Sequence, residues 1–357
     1  MILSDLLDHF VSPKIVAGPY ATPASEPTRA TLMRDRDYQE LRARLARIGF
    51  FAPARWSYAW RMIIIVALYA VLFAYLASGP SIAPRIVVAL ALGVVHTLCN
   101  FMAHDIAHGA VSKRAAVTNV FGQIFDTLLT GFSFTYFRRS HTLHHYHCNE
   151  DGLDPDTMSV LWSVSEHGAR NKRGFGRAVT RAQHFIVPLL YPFWGATLKV
   201  AGLGYSLRNP REAWPDLVLL AVHFAAWFGL GGNALDYTIM TLVVGVYLGI
   251  IFPIGHVGTA SFAPTHTSSF LHQQLATTRN VTSSPLRNNF FMGLNSQIEH
   301  HLFPYGPSMR LARARPVVRQ FCAERGLPYE EVGHRAAIMS VMRHLRQMAK
   351  TAAKNVG

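Results

Sequence analysis

Paired cysteines are missing from this chain. Its 357 residues hold three, Cys99, Cys148 and Cys322. A scattered, odd set supplies neither a disulfide framework nor a paired-cysteine metal motif. Charge is sparse as well: 15% of residues are Asp, Glu, Lys or Arg, against roughly a quarter in a typical soluble domain. Half are apolar, which points toward lipid. HExxH does not occur, and its absence excludes a zinc protease of that type. Paired Glu-x-x-His motifs are also lacking. Glu331–His334 stands alone with Gly333 inside it, so a soluble carboxylate-rich two-metal bundle is not expected. MILSDLLDHF carries two aspartates, no basic run and no small-residue cleavage site, so no secretory signal is expected. No internal repeat is evident.

Acidic residues are outnumbered 20 to 34 by basic ones, for a net charge of +14. The basic residues lie between apolar runs and do not form one stripe with interleaved aromatics. Nucleic acid is therefore not the expected partner. The apolar runs Met62–Gly79, Ile86–Met102, Leu217–Gly231 and Ile239–Ile254 approach the roughly 17–25 residues a helix needs to cross a bilayer. Residues 120–137 and 184–200 are apolar but interrupted, and are expected as interfacial or partly buried helices rather than spans. With the N-terminus inside, the two short outer links hold Arg85 as their one basic residue. That is a positive-inside pattern. The expected fold is all-α: an integral, multi-pass membrane protein of four spans, capped by a cytoplasmic helical domain. An N-terminal arm (1–55) precedes the membrane domain (56–330), and a basic tail (331–357) follows it. No regular structure is expected before Asp37; Leu41, Leu45 and Ile48 recur at helical spacing after it.

Eighteen histidines are a large number for so apolar a chain. Seven fall into three clusters: HDIAH with His104 and His108, HTLHH with His141, His144 and His145, and QIEHH with His300 and His301 after Gln297. On a helix, positions i, i+3 and i+4 share a face, so each cluster aims its imidazoles one way. Neutral imidazole suits iron, zinc, copper and nickel. Seven are more than one four-coordinate zinc uses, and a two-metal site accommodates them better. His96 and His223, inside apolar runs, are expected to be structural, as are His266 and His272; His147 is one step off its cluster's face. Asp105, Asn149, Asp154 and Asp156 are candidates to accept the other imidazole N–H and fix ring orientation. Surface-loop capping competes as the role of Asp154 and Asp156.

HDIAH, HTLHH and QIEHH resemble the three histidine boxes of the membrane fatty acid desaturase family. The Gln-first third box resembles the front-end branch, which places a double bond between an existing one and the carboxyl end. NEDGLDPDT, QQLATTRNV, GLNSQIEHHLFP and RPVVRQFCAERGLPY extend the similarity over residues 60–330. The resemblance implies a non-haem centre of two iron ions, with His104, His108, His141, His144, His145, His300 and His301 as ligands. It adds His256, in FPIGHVG, as a histidine just after the fourth span. Some members carry an asparagine one turn earlier, where this chain has Phe252. Gln297 stands where other branches have histidine; binding iron weakly, holding a metal-bound water and buttressing the helix are all open to it.

The implied activity is O2-dependent formation of a cis double bond in an acyl chain linked to CoA, a carrier protein or a lipid, on the cytoplasmic side. It belongs to unsaturated fatty acid biosynthesis in lipid metabolism. HPGG, the haem motif of a fused cytochrome b5 domain, is absent. A separate electron donor is expected, such as ferredoxin or cytochrome b5 with its reductase. Related hydroxylases, acetylenases and carotenoid-modifying oxygenases share the boxes. A non-enzymatic membrane metal protein is a further alternative, but it would place its ligands near mid-membrane.

Overall fold

The computed structural model describes residues 35–159, 161–263 and 266–354. Among the described residues the regular structure is helical apart from two residue pairs that form a small sheet. Most of the stretch before Asp37, with its prolines, lies outside them. Two compact units are present, one formed by Pro53–Arg139 with Leu190–Ile250, the other by Ser140–Leu189, the residues from Ile251 onward, and the described residues before Pro53.

The helices, in chain order, are α1 (Arg36–Arg47), α2 (Arg55–Ala77), α3 (Ile82–Ala107), α4 (Ala115–Gly122), α5 (Phe134–Tyr146), α6 (Glu166–Asn171), α7 (Gly174–Leu190), α8 (Trp194–Arg208), α9 (Pro210–Gly229) and α10 (Ala234–His256). They continue with α11 (Phe270–Thr277), α12 (Pro285–Phe290), α13 (Gln297–Leu302), α14 (Leu311–Arg325) and α15 (His334–Lys354). A parallel pair, β1 (Asn280–Val281) and β2 (Glu331–Val332), sits among the last five.

Among the described residues, four helices are long and apolar enough to cross a membrane: Arg55–Ala77, Ile82–Ala107, Gly174–Arg208 and Ala234–His256. Three contain runs read from the sequence as spans. The fourth differs. Leu217–Gly231 lies largely in α9, whose first two turns carry Arg211, Glu212, Pro215 and Asp216. The 35-residue stretch Gly174–Arg208, which contains the 184–200 run expected as an interfacial or partly buried helix, meets the length and composition. Its prolines interrupt the helix with one 3-10 turn, Tyr191–Phe193, and do not end it. On α2, Trp56, Trp60, Ile63, Val66, Leu68 and Val71 are exposed, as suits side chains solvated by lipid with tryptophans near the interface.

Inside the first unit, the polar groups answer one another. Arg85 pairs with the buried Asp236. Asp216, fully buried, accepts from Ser133 Oγ at 2.8 Å, Gln123 Nε2 at 2.8 Å and Thr135 N at 3.0 Å. It thereby caps the start of α5, the helix that carries HTLHH. Before it, a π-helical turn (Gln123–Leu128) leads into a non-helical loop. Backbone of that kind survives in an apolar interior only when its carbonyls are bonded. His223 Nδ1–H donates to Leu128 O at 2.8 Å, and Lys199 Nζ donates to Thr130 O. Gly131 has φ +72°, and a Cβ there would stand 2.7 Å from His223 Nε2. His223 is structural, as expected.

In the second unit, α1 is amphipathic. Its Tyr38, Leu41 and Leu45 join Leu275, Ile298, Leu302, Phe303, Val318 and Phe321 in one apolar core. Leu41 is fully buried. Leu41→Ala is expected to cost about 2–5 kcal/mol, the range for deleting a buried leucine side chain. A lower thermal midpoint in detergent would show it, and an unchanged one would contradict the packing. Helix α15 lays Val341, Leu345, Met348 and Ala352 inward.

Candidate metal centre

The third box sits on α13, a helix too short to hold itself. Asn280 Oδ1 accepts from Ile298 N at 3.0 Å, capping its start, while Asn280 Nδ2 donates to the buried Glu299 at 2.8 Å. Tyr329 O–H adds a second bond to Glu299 at 2.9 Å. Arg315, 4% exposed, donates to Ser296 Oγ, Val281 O and Asn295 O and pairs with Glu331. These contacts give QQLATTRNV and RPVVRQFCAERGLPY their purpose: both flanks fasten QIEHH.

Three imidazoles of the second unit share one arrangement. His144 Nδ1–H donates to Asp154 Oδ1 at 2.9 Å, with Asp156 at 3.5 Å. His301 Nδ1–H donates to Gln274 Oε1 at 2.9 Å. His256 Nδ1 lies 3.3 Å from Thr277 O. Each ring thus has Nδ1 beside an oxygen acceptor, which leaves Nε2 to serve as the ligand atom. The rings stand 4.6–5.1 Å apart, centroid to centroid. The amide of Gln297 lies against them, with Nε2 2.8 Å from His256 Nε2. His301 Nε2 and Gln297 Oε1 are buried and have no hydrogen-bond partner. A half-turn of the Gln297 amide would offer its oxygen to a cation held by His256.

Beside this set, His145 Nε2 is 3.1 Å from His141 Nε2 and 3.2 Å from His300 Nε2. Neighbouring nitrogens bound at about 2.1 Å to one metal ion lie about 3.0 Å apart at a right angle and about 3.4 Å apart at a tetrahedral one, so these three fit a shared cation. The rings of His145 and His301 stack at 4.1 Å, which makes the two sets adjacent. An orphaned Nε2, an orphaned amide oxygen and converging ring nitrogens together fit a metal-binding function.

Charge is arranged to match. Burial opposes protonation of His144, but Asp154 and Asp156 outweigh it and lift its pKa to about 9. Burial holds His301 well below the ordinary histidine value, reinforced by the surrounding His256, His144, His300 and His141. His301 is thus a neutral ligand in waiting, and His144 is the ring that takes the positive charge when no metal is bound.

The remaining sequence candidates fall as follows. His104 and His108 belong to the first unit, at the C-terminal end of α3, with ring centroids 4.7 Å apart. Asp105 lies 3.3 Å from His104 Nδ1 and accepts from Tyr58 O–H at 2.7 Å. Asp154 accepts from His144 and caps the 3-10 turn Pro155–Thr157. Asn149 differs from expectation. Its Nδ2 donates to His256 O at 3.0 Å and Thr259 Oγ1 at 2.9 Å, so it ties backbone and touches no ring nitrogen. His147 turns to Glu150 at 2.8 Å. Gln274, Thr277, Asn280, Arg315 and Tyr58 were not singled out from the sequence. Only the flanking motifs pointed to the first four, and nothing pointed to Tyr58.

Comparison with known proteins agrees with the geometry. The chain is 26% identical over 346 residues to the acyl-lipid (9-3)-desaturase of Physcomitrium patens, covering 92% of this chain and 65% of that protein. It is 27% identical to fatty acid desaturase 3 of Homo sapiens (90% and 74%) and 25% identical to delta(8)-fatty-acid desaturase 2 of Arabidopsis thaliana (88% and 75%). It therefore spans about two thirds to three quarters of the length of these relatives. Residues 80–333, more than half of the chain, match the family described as fatty acid desaturase. Membrane-crossing helices, buried histidine clusters and this match lead to one conclusion: the chain belongs to the fatty acid desaturase family.

Proposed function

We propose that the protein is a membrane-bound fatty acyl desaturase, using O2 and two iron ions to place a cis double bond in an acyl chain. The observation that carries this reading is the pair of adjacent imidazole sets, with Nδ1 of His144 and His301 held by Asp154 and Gln274. One iron is assigned to His144, His256 and His301, with Gln297 beside it. The other is assigned to His141, His145 and His300; His104 and His108 are taken as iron ligands from the resemblance of HDIAH to the family's first histidine box. The metal pair supplies the oxidising power that a saturated C–H bond requires and that no acid or base side chain possesses.

The chain's own residues do the rest. Asp154, Gln274 and the Thr277 carbonyl keep the rings turned so that Nε2 faces inward. Asp105, held by Tyr58, does the same for His104. Burial of the set excludes water, which keeps the oxidant for the substrate. The domain division into arm, membrane domain and tail, and the placement of the site on the cytoplasmic face, belong to this proposal. A separate electron donor, ferredoxin or cytochrome b5 with its reductase, is the partner it requires.

The test is mass-spectrometric location of double bonds in lipids of a host making the protein, compared with the empty host. New unsaturation is expected. An added oxygen or a triple bond would move the chain to the related hydroxylases or acetylenases, and unchanged lipids alongside folded protein and a working reductant would contradict the proposal. Metal retention carries a further expectation. Iron must displace the His144 proton, so apparent affinity should rise with pH toward about 9. Below that it should fall by up to about tenfold per pH unit for the one proton displaced. Chelator competition at several pH values measures the slope, and a flat profile would contradict the assignment of His144.

A further inference from the structure

Cys148 stands where an all-imidazole centre has no use for sulfur. It is fully buried, with Sγ 3.4 Å from His256 Nδ1 and 3.9 Å from Thr277 O. His144, Cys148, His256 and His301 each offer one donor atom, and the four atoms lie within 4.8 Å of one another. A tetrahedral ion with bonds of about 2.3 Å to sulfur and about 2.1 Å to nitrogen sets those two ligands about 3.6 Å apart. The Sγ to Nδ1 separation is close to that edge. His301 Nε2, buried and without a hydrogen-bond partner, is a donor atom open to either set.

His256 has two faces. Its Nε2 meets the Gln297 amide at 2.8 Å, and its Nδ1 meets the thiol. Turned to an ion through Nε2, it works with Gln297 in a set of nitrogen and oxygen donors. Turned through Nδ1, it works with Cys148, and after the half-turn of the Gln297 amide its Nε2–H donates to Oε1, which otherwise has no partner. Soft thiolate favours zinc and its heavier congeners over oxygen-preferring ions. We propose that Cys148, His144, His256 and His301 form a second, competing donor set for a thiophilic divalent cation such as zinc or cadmium. In the exchange the metal–sulfur bond forms, the thiol proton passes to solvent, and one ferrous ion leaves without change of oxidation state. The competition with iron rests on the proposed function; the thiophilic site itself does not.

Cadmium is the probe. The full-length protein in lipid nanodiscs is titrated with cadmium chloride while ultraviolet thiolate-to-cadmium charge transfer and released iron are followed. The expected result is one cadmium–thiolate bond per chain, with one sulfur and nitrogen neighbours in X-ray absorption, and release of one iron. Cys148→Ser should abolish the band, and the double variant Cys99→Ala/Cys322→Ala should keep it. No sulfur neighbour in the unaltered protein, or a band that survives Cys148→Ser, overturns the proposal. The X-ray absorption result needs no variant, so misfolding of Cys148→Ser cannot obscure it. Iron content and double-bond formation of the untreated protein are measured alongside, so failure of the desaturase assignment is seen separately from failure of the cadmium site.

Discussion

Replacing His144 with alanine is expected to bring desaturation down to the level of the empty host and to remove iron from the purified protein. The ring is 3% exposed and bonded to Asp154 at 2.9 Å. Its loss removes a ligand atom and also strands the fully buried Asp154 beside a cavity. An unpaired buried carboxylate is destabilising, so the comparison needs a fold control. His144→Gln fills most of the volume and keeps a donor for Asp154. If His144 is a ligand, both variants lose iron and activity, while only the alanine variant loses much thermal stability. Retained iron and product in either would remove His144 from the centre.

The second large effect is expected at a residue that touches no metal. Gln274 accepts from His301 Nδ1–H at 2.9 Å and donates through Nε2 to His145 O at 3.1 Å. It therefore orients a third-box ring while gripping the backbone of the second box. Groups in this position commonly contribute 10- to 100-fold to metal affinity or activity. Gln274→Leu is expected to fall in that range, read as faster iron loss to a chelator and less product. Gln274→Glu keeps the acceptor and should recover iron retention toward the unaltered level. A purely structural role predicts no such recovery, because Gln274→Glu loses the donor to His145 O and buries a carboxylate at a fully buried position.

Much of this was legible in the residues. Three spans follow from apolar length, and α1 follows from the spacing of Leu41 and Leu45. The boxes follow from histidine spacing, because that spacing is the period of the helix itself. What escaped was long-range. Nothing local in QQLATTRNV says that its second glutamine meets a histidine 27 residues later. Tyr58 lies 47 residues before the aspartate it holds, and a tyrosine at the start of an apolar run reads as an interfacial anchor. The contacts that Asn149 makes were not legible locally. Its backbone adopts φ 51°, and its side chain turns to the His256 carbonyl. Gly174–Arg208 was hard to read for a similar reason: Pro188 and Pro192 suggest helix breaks, but Pro188 lies inside α7 and a 3-10 turn takes up Pro192, while Asp216, inconspicuous in the sequence, caps α5 from within α9.

Anomalous diffraction at the iron edge from the full-length protein tests the central claim most directly. Two iron peaks are predicted, one among His144, His256 and His301, the other among His141, His145 and His300. One peak, or two ions bound elsewhere with these imidazoles turned apart, would contradict the account.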